Sequence, residues 1–151
     1  MAVKMVIEVR SQPFDPWAEL SRFQAGSHLV PGSYGACATF VGTMRDFNQG
    51  EQVETLFLEH YSGMTEKLLE QQAEKIKQEK GLLDFLVIHR VGEIHPNDPI
   101  VLVAAWSAHR AAAFDGCREL MEYLKSQATF WKKETLDTDN ENEQRWVDNI
   151  S

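Results

Sequence analysis

LDFLVIHRVGEIHPNDPIVLVAAW, residues 83–106, contains two strongly apolar runs, Leu83–Val91 and Ile100–Trp106, separated by Glu93-Ile94-His95-Pro96-Asn97-Asp98-Pro99. Short runs rich in Leu, Ile, Val and aromatic side chains read as strands, and a cluster of Pro, Asn and Asp between them turns the chain. The segment therefore predicts a β-pair with a long connection. Upstream, Tyr34–Met44 alternates small and β-branched residues and Gln52–Tyr61 is rich in strand formers, so both read as strands. The intervening Arg45-Asp46-Phe47-Asn48-Gln49-Gly50 carries turn residues and reads as a loop with one arginine at its start.

Helices are expected around these strands. Asp15 before Pro16 offers an N-cap and a favoured first helical residue, opening a helix to about Gln24 that Gly26 stops. From Thr65 to Lys80, Leu68, Leu69, Ala73 and Ile76 recur at helical spacing among Glu, Gln and Lys, and Gly81 ends the pattern. A third helix is predicted from about Ala108 to Ser126, capped by Ser107, with Ala113, Phe114, Cys117, Leu120, Met121 and Leu124 on one face. Strands at Lys4–Val9 and Thr129–Leu136 complete the order β-α-β-β-α-β-β-α-β. Adjacent strand pairs mixed with helices predict an α+β domain with a largely antiparallel sheet. No Gly-rich phosphate loop follows any strand, which argues against a Rossmann or P-loop enzyme.

The chain has 151 residues, 43% hydrophobic and 25% charged, and we read it as one ordinary domain over residues 1–151. The N-terminal apolar stretch is interrupted by Lys4 and Glu8, so neither a signal peptide nor a membrane span is expected and the protein is expected to be cytoplasmic. Net charge is −8, of which an acidic tail from about residue 135 carries −4. That balance disfavours nucleic acid as a partner and leaves room for a local basic pocket. Cys37 and Cys117 fit no metal or Cys-x-x-Cys spacing and read as small buried hydrophobes. The histidines show no His-x-His or His-Glu-x-x-His spacing, so no metal site is expected.

Several basic residues stand out. His109 and Arg110 open the third helix, where cations oppose the macrodipole and an anion would be welcomed by the free N–H groups. A hydrated, exposed His-Arg pair fits the spacing equally well. Lys125 follows Met121 by one turn near the helix C-terminus, a place that also favours a lysine without any function. Lys132 and Lys133 lie in the last strand and must face opposite ways, so only one of them can share a pocket with Lys125. Arg45 follows Val41-Gly42-Thr43-Met44, whose glycine permits close backbone approach; a solvated loop arginine is the plain alternative.

Three strings, VGTMRDFNQG, HRVGEIHPND and SAHRAAAFDGCRELMEYLKSQATFWKKE, together resemble the molybdopterin synthase large-subunit family, over about Gly35 to Glu134. The resemblance implies a fold of the α/β-hammerhead type and a homodimer, with a small ubiquitin-like subunit at each end of a heterotetramer. It implies that the partner's C-terminal Gly-Gly thiocarboxylate delivers sulfur to cyclic pyranopterin monophosphate, making the molybdopterin dithiolene without a cofactor. Carried over by position, it makes Lys125 and Lys132 catalytic. It puts Thr43, Met44, Arg45, His109, Arg110, Met121, Lys133 and Glu134 at the substrate, the His-Arg pair being able to come from the neighbouring subunit. Asn97-Asp98 stands where many relatives have Gly-Asp, and Asn also tolerates positive φ. Ile150 supplies no counterpart to an arginine found near the C-terminus in some relatives. Two other readings fit the basic residues: a non-catalytic dimeric module that binds a phosphorylated metabolite, and a histidine-dependent phosphoesterase.

Overall fold

The computed structural model describes residues 5–26, 29–48, 50–126, 130–136 and 143–147. In chain order the elements are β1 (Val6–Arg10), α1 (Pro16–Gly26), β2 (Ala36–Thr43), β3 (Phe47–Asn48), β4 (Glu51–His60) and α2 (Met64–Lys80). They continue with β5 (Asp84–Arg90), β6 (Gly92–Ile94), β7 (Pro99–Ser107), α3 (Arg110–Ser126), β8 (Phe130–Leu136) and β9 (Glu143–Val147). The expected α+β class is what the chain adopts. Its strands form two sheets rather than one, ordered β1-β5-β7-β2 and β3-β4-β8-β9, with β6 on β4. Among the described residues only the β1–β5 pairing is parallel.

The apolar runs are continuous because β5 and β7 are covered on both faces. Phe85, Val87, Val103 and Ala105 point toward a core shared with Leu69, Ala73 and Ile76 of α2 and Ala113, Cys117 and Leu120 of α3. Leu86, Ile88, Leu102, Ala104 and Trp106 point the other way, onto Phe14, Leu29 and the α1 side chains Leu20 and Phe23. A strand buried on one face alternates apolar and polar residues; one buried on both does not. Trp106 is fixed further by a 3.3 Å hydrogen bond from its Nε1 to Gln24 and by the Phe23 ring at 4.9 Å.

The helix signals work as read. Asp15 Oδ1 accepts from the Trp17 and Ala18 amides, and Gly81 closes α2 in the left-handed region at φ 71°. Ser107 Oγ accepts from the His109 amide at 3.2 Å, and regular α-helix starts at Arg110, two residues later than expected. Three short strands were not anticipated. β3 and β6 lie in segments read as loop and turn, and β9 lies in the acidic tail, where no strand was expected; residues 137–142 and 148–151 lie outside the described ones. Cys37 corrects another expectation: β2 is a sheet edge, and its thiol is exposed whereas Cys117 is buried. Desolvation pushes the Cys117 thiol up to about 11. Among the described residues no helix is long and apolar enough to cross a membrane.

Candidate functional site

A pocket of about 260 Å³ opens where the end of β2, the C-terminal end of α3 and the inward face of β8 converge. Its β2 wall depends on Gly42. A Cβ there would stand 2.9 Å from Val101 Cγ1, so only glycine lets β2 lie this close to β7. Pairing slips immediately afterwards, between Gly42 and Thr43, and this bulge turns Thr43, Met44 and Arg45 toward the pocket. The Met44 backbone is then clamped from the β6–β7 turn. Its amide donates to Asp98 O at 3.0 Å and its carbonyl accepts from the Asn97 amide at 2.9 Å. Asn97 adopts φ 75°, a left-handed conformation that Asn tolerates.

The opposite wall is β8. Strand alternation sends Phe130, Lys132 and Glu134 into the pocket and leaves Trp131 and Lys133 on the other face. Lys133 lies 5.6 Å from the centre of the Trp146 ring, a cation–π contact outside the pocket. Glu134, 5% exposed, accepts from Arg145 Nε at 2.8 Å across the β8–β9 ladder. From α3, Met121, Leu124 and Lys125 complete the lining; residues four apart share a helix face.

Electrostatically the two lysines oppose each other. Burial lowers the Lys132 pKa, the Lys125 charge lowers it further, and Glu134 works in the opposite direction. The pocket therefore holds a lysine predisposed to lose its proton, next to a second cation that an incoming anion would neutralise. His89 of β5, 7% exposed, also lines this pocket.

The MoaE protein family model matches residues 9–127. The chain belongs to this family. A molybdopterin synthase catalytic subunit from Ralstonia nicotianae is 47% identical over 142 residues, spanning 94% of this chain and 76% of the relative. One from Pseudomonas aeruginosa is 46% identical over 144 residues, 95% of this chain and 91% of the relative. Among solved structures, a molybdopterin biosynthesis MoaE protein from Burkholderia ambifaria superposes with a TM-score of 0.78 at 41% identity, covering 98% of this chain and 92% of that one.

Of the ten site residues that the family resemblance pointed to, Thr43, Met44, Arg45, Met121, Lys125, Lys132 and Glu134 line one pocket. His109, Arg110 and Lys133 do not. Arg110 and Lys125 sit fifteen residues apart on α3, so at 1.5 Å per residue roughly 22 Å of helix separates them. Sequence reading overlooked His89 and Arg145. Both carried a signal: His89 is a polar residue inside an otherwise apolar strand, and Arg145 precedes Trp146-Val147, the most strand-like part of the tail.

Proposed function

We propose that this pocket is the sulfur-transfer centre of a molybdopterin synthase, the chain being its catalytic subunit. The thiocarboxylated C-terminus of a small ubiquitin-like subunit enters the pocket and gives its sulfur to cyclic pyranopterin monophosphate. Water oxygen replaces the sulfur on the tail, leaving a carboxylate, and two such rounds make the dithiolene. The observation that carries this reading is the placement of Lys125 and Lys132 in one cavity of an otherwise acidic protein. Thiocarboxylate and phosphate are both anions, and bringing them together demands fixed cations at one place.

Lys125 stabilises the developing oxyanion or moves a proton, and Lys132, with its lowered pKa, orients the pterin or the incoming tail. Arg45 at the pocket mouth offers bidentate donors to the phosphate. His109 and Arg110 are too far along α3 to serve their own pocket, so a second copy of the chain brings them in, which makes the homodimer part of the site. Lys133 supports the neighbouring sheet face. With one small subunit per large one, the assembly is a heterotetramer acting in the cytoplasm.

Mixing this protein with the thiocarboxylated small subunit and the cyclic pterin phosphate tests the reading directly. Dithiolene product is expected. Tight pterin binding without turnover would leave a phosphometabolite-binding module, and release of inorganic phosphate without sulfur transfer would leave a phosphoesterase.

A further inference from the structure

His89 interrupts the apolar run of β5 and is almost wholly enclosed. A ring with two polar nitrogens is costly there unless both are used. Nδ1 lies 2.8 Å from the Arg90 carbonyl oxygen, and a carbonyl only accepts, so Nδ1 carries the proton in this contact. Nε2 is then the lone-pair nitrogen. Phe130 stacks on the imidazole at 3.9 Å between ring centres and 17° between planes, which fixes the orientation of the ring edge. Nε2 makes no hydrogen bond to any described residue, although His89 lines the pocket.

The neighbouring side chains give this lone pair its value. Lys125 from α3, Lys132 from β8 and Arg45 beyond β2 only donate. Glu134 is engaged by Arg145. A substrate N–H finds no acceptor on these cations, and a neutral imidazole supplies one beside the Thr43 hydroxyl and the Glu134 carboxylate. Burial first, then the charges of Lys132 and His60, against the pull of the Arg90 carbonyl, push the His89 pKa down to about 4. The ring therefore stays an acceptor at neutral pH despite its cationic surroundings.

We infer that His89 is a substrate-recognition residue of this pocket, its Nε2 accepting a hydrogen bond from a ring N–H of the bound reduced pterin. The inference rests on the sulfur-transfer reading and deepens it. The lysines and arginine hold the anionic groups, which any phosphate ester carries. His89 reads the heterocycle, whose N–H donors a simple phosphate ester lacks.

Calorimetry on the wild-type protein, His89→Phe and His89→Gln, with the cyclic pterin phosphate and with inorganic phosphate, tests it. Phenylalanine keeps a flat ring against Phe130 but offers no lone pair, so pterin affinity should fall about tenfold, the scale of one unmet hydrogen bond, while phosphate affinity holds. His89→Gln retains an acceptor and should recover part of the loss, and turnover should show it in KM rather than kcat. Equal loss of both ligands, or pterin binding by His89→Phe within about twofold of wild type, overturns the assignment. Nitrogen NMR of the wild-type imidazoles decides the matter even if the variants do not fold. Nε2 of His89 should be unprotonated at neutral pH and shift upfield with the pterin but not with phosphate; a protonated or unmoved Nε2 refutes the contact. Wild-type protein that binds the pterin yet makes no dithiolene sinks the sulfur-transfer reading and leaves the His89 contact standing. Failure of the wild type to bind the pterin at all overturns both.

Discussion

Lys125→Ala separates chemistry from stability more cleanly than any other change in the pocket. Lys125 is exposed on the last turn of α3. Its favourable interaction with the helix dipole is worth about 0.3–1 kcal/mol, a loss in folding stability that is small beside the kinetic effect. On the proposed mechanism the same ammonium faces charge that develops during sulfur transfer. Removing one such donor costs about 2.7–4 kcal/mol of transition-state stabilisation, a rate loss on the order of a hundredfold to a thousandfold. The measurement is single-turnover dithiolene formation with saturating thiocarboxylated partner, beside thermal melts and pterin binding. The dimer, the partner complex and pterin affinity should survive. Lys125 also depresses the Lys132 pKa, so the residual activity should extend to higher pH in the alanine variant. Lys125→Arg should recover much of the rate if only charge matters and little if a proton must move, because Arg stays protonated. A near wild-type single-turnover rate for Lys125→Ala would show that the catalytic assignment is wrong.

Arg45→Ala and Arg110→Ala should weaken binding of the pterin phosphate by about tenfold or more, the worth of a hydrogen bond to a charged group, with thermal melts little changed; affinity within twofold of wild type withdraws the phosphate role. On the proposed two-subunit site the loss in Arg110→Ala arises across subunits, so mixing it with Lys125→Ala should restore partial activity through one intact composite site, and no recovery on subunit exchange would count against a shared site. Gly42→Ala forces its Cβ to 2.9 Å from Val101 Cγ1; overpacking should cost about 1–3 kcal/mol and raise KM as Thr43–Arg45 move, and an unchanged KM would detach the bulge from the site. Cys37→Ser and Cys117→Ser, singly and together, should keep sulfur transfer even where the buried position lowers Tm, since the partner supplies the sulfur; a folded but inactive double variant would overturn that source.

Much of the architecture is legible because it is written locally. Asp15, Ser107 and Gly81 mark helix ends through their own hydrogen bonds or φ. The run from Phe85 to Ile88 is continuously apolar because both faces of β5 are covered. What escapes is set by distant partners. β9 is charged and short, and it is a strand because β8 offers Lys132 to Leu136 as a ladder and Glu134 receives Arg145. Cys37 looks like a core residue until β2 is known to be an edge strand. Within the site, alternation alone sorts Lys132 from Lys133, and helix rise alone separates Arg110 from Lys125. His89 stayed hidden because one polar residue in an apolar strand is read as core; its meaning comes from Phe130, forty-one positions later in the chain.

Lys132 brings folding and function into conflict. Its pKa lies below the ordinary lysine value of 10.5, because burial and the Lys125 charge outweigh the help from Glu134. The charged form is therefore better accommodated in the unfolded chain than in the native pocket. Below the native pKa both states are protonated and the fold carries the full penalty. Between the native pKa and 10.5 the unfolded chain binds more protons, so stability rises with pH; above 10.5 both are neutral and the penalty is gone. Lys132→Met keeps an unbranched apolar stem and removes the charge. At neutral pH it should melt at a higher temperature than the wild type while losing sulfur transfer. The gap in Tm should narrow as pH climbs toward the lysine range, because the wild type regains what the variant never lost. Comparing the two proteins at each pH cancels every other titration they share. A variant less stable than wild type at neutral pH, or a gap that widens with pH, would mean that the Lys132 charge supports the fold, and its lowered pKa could no longer be ascribed to burial beside Lys125.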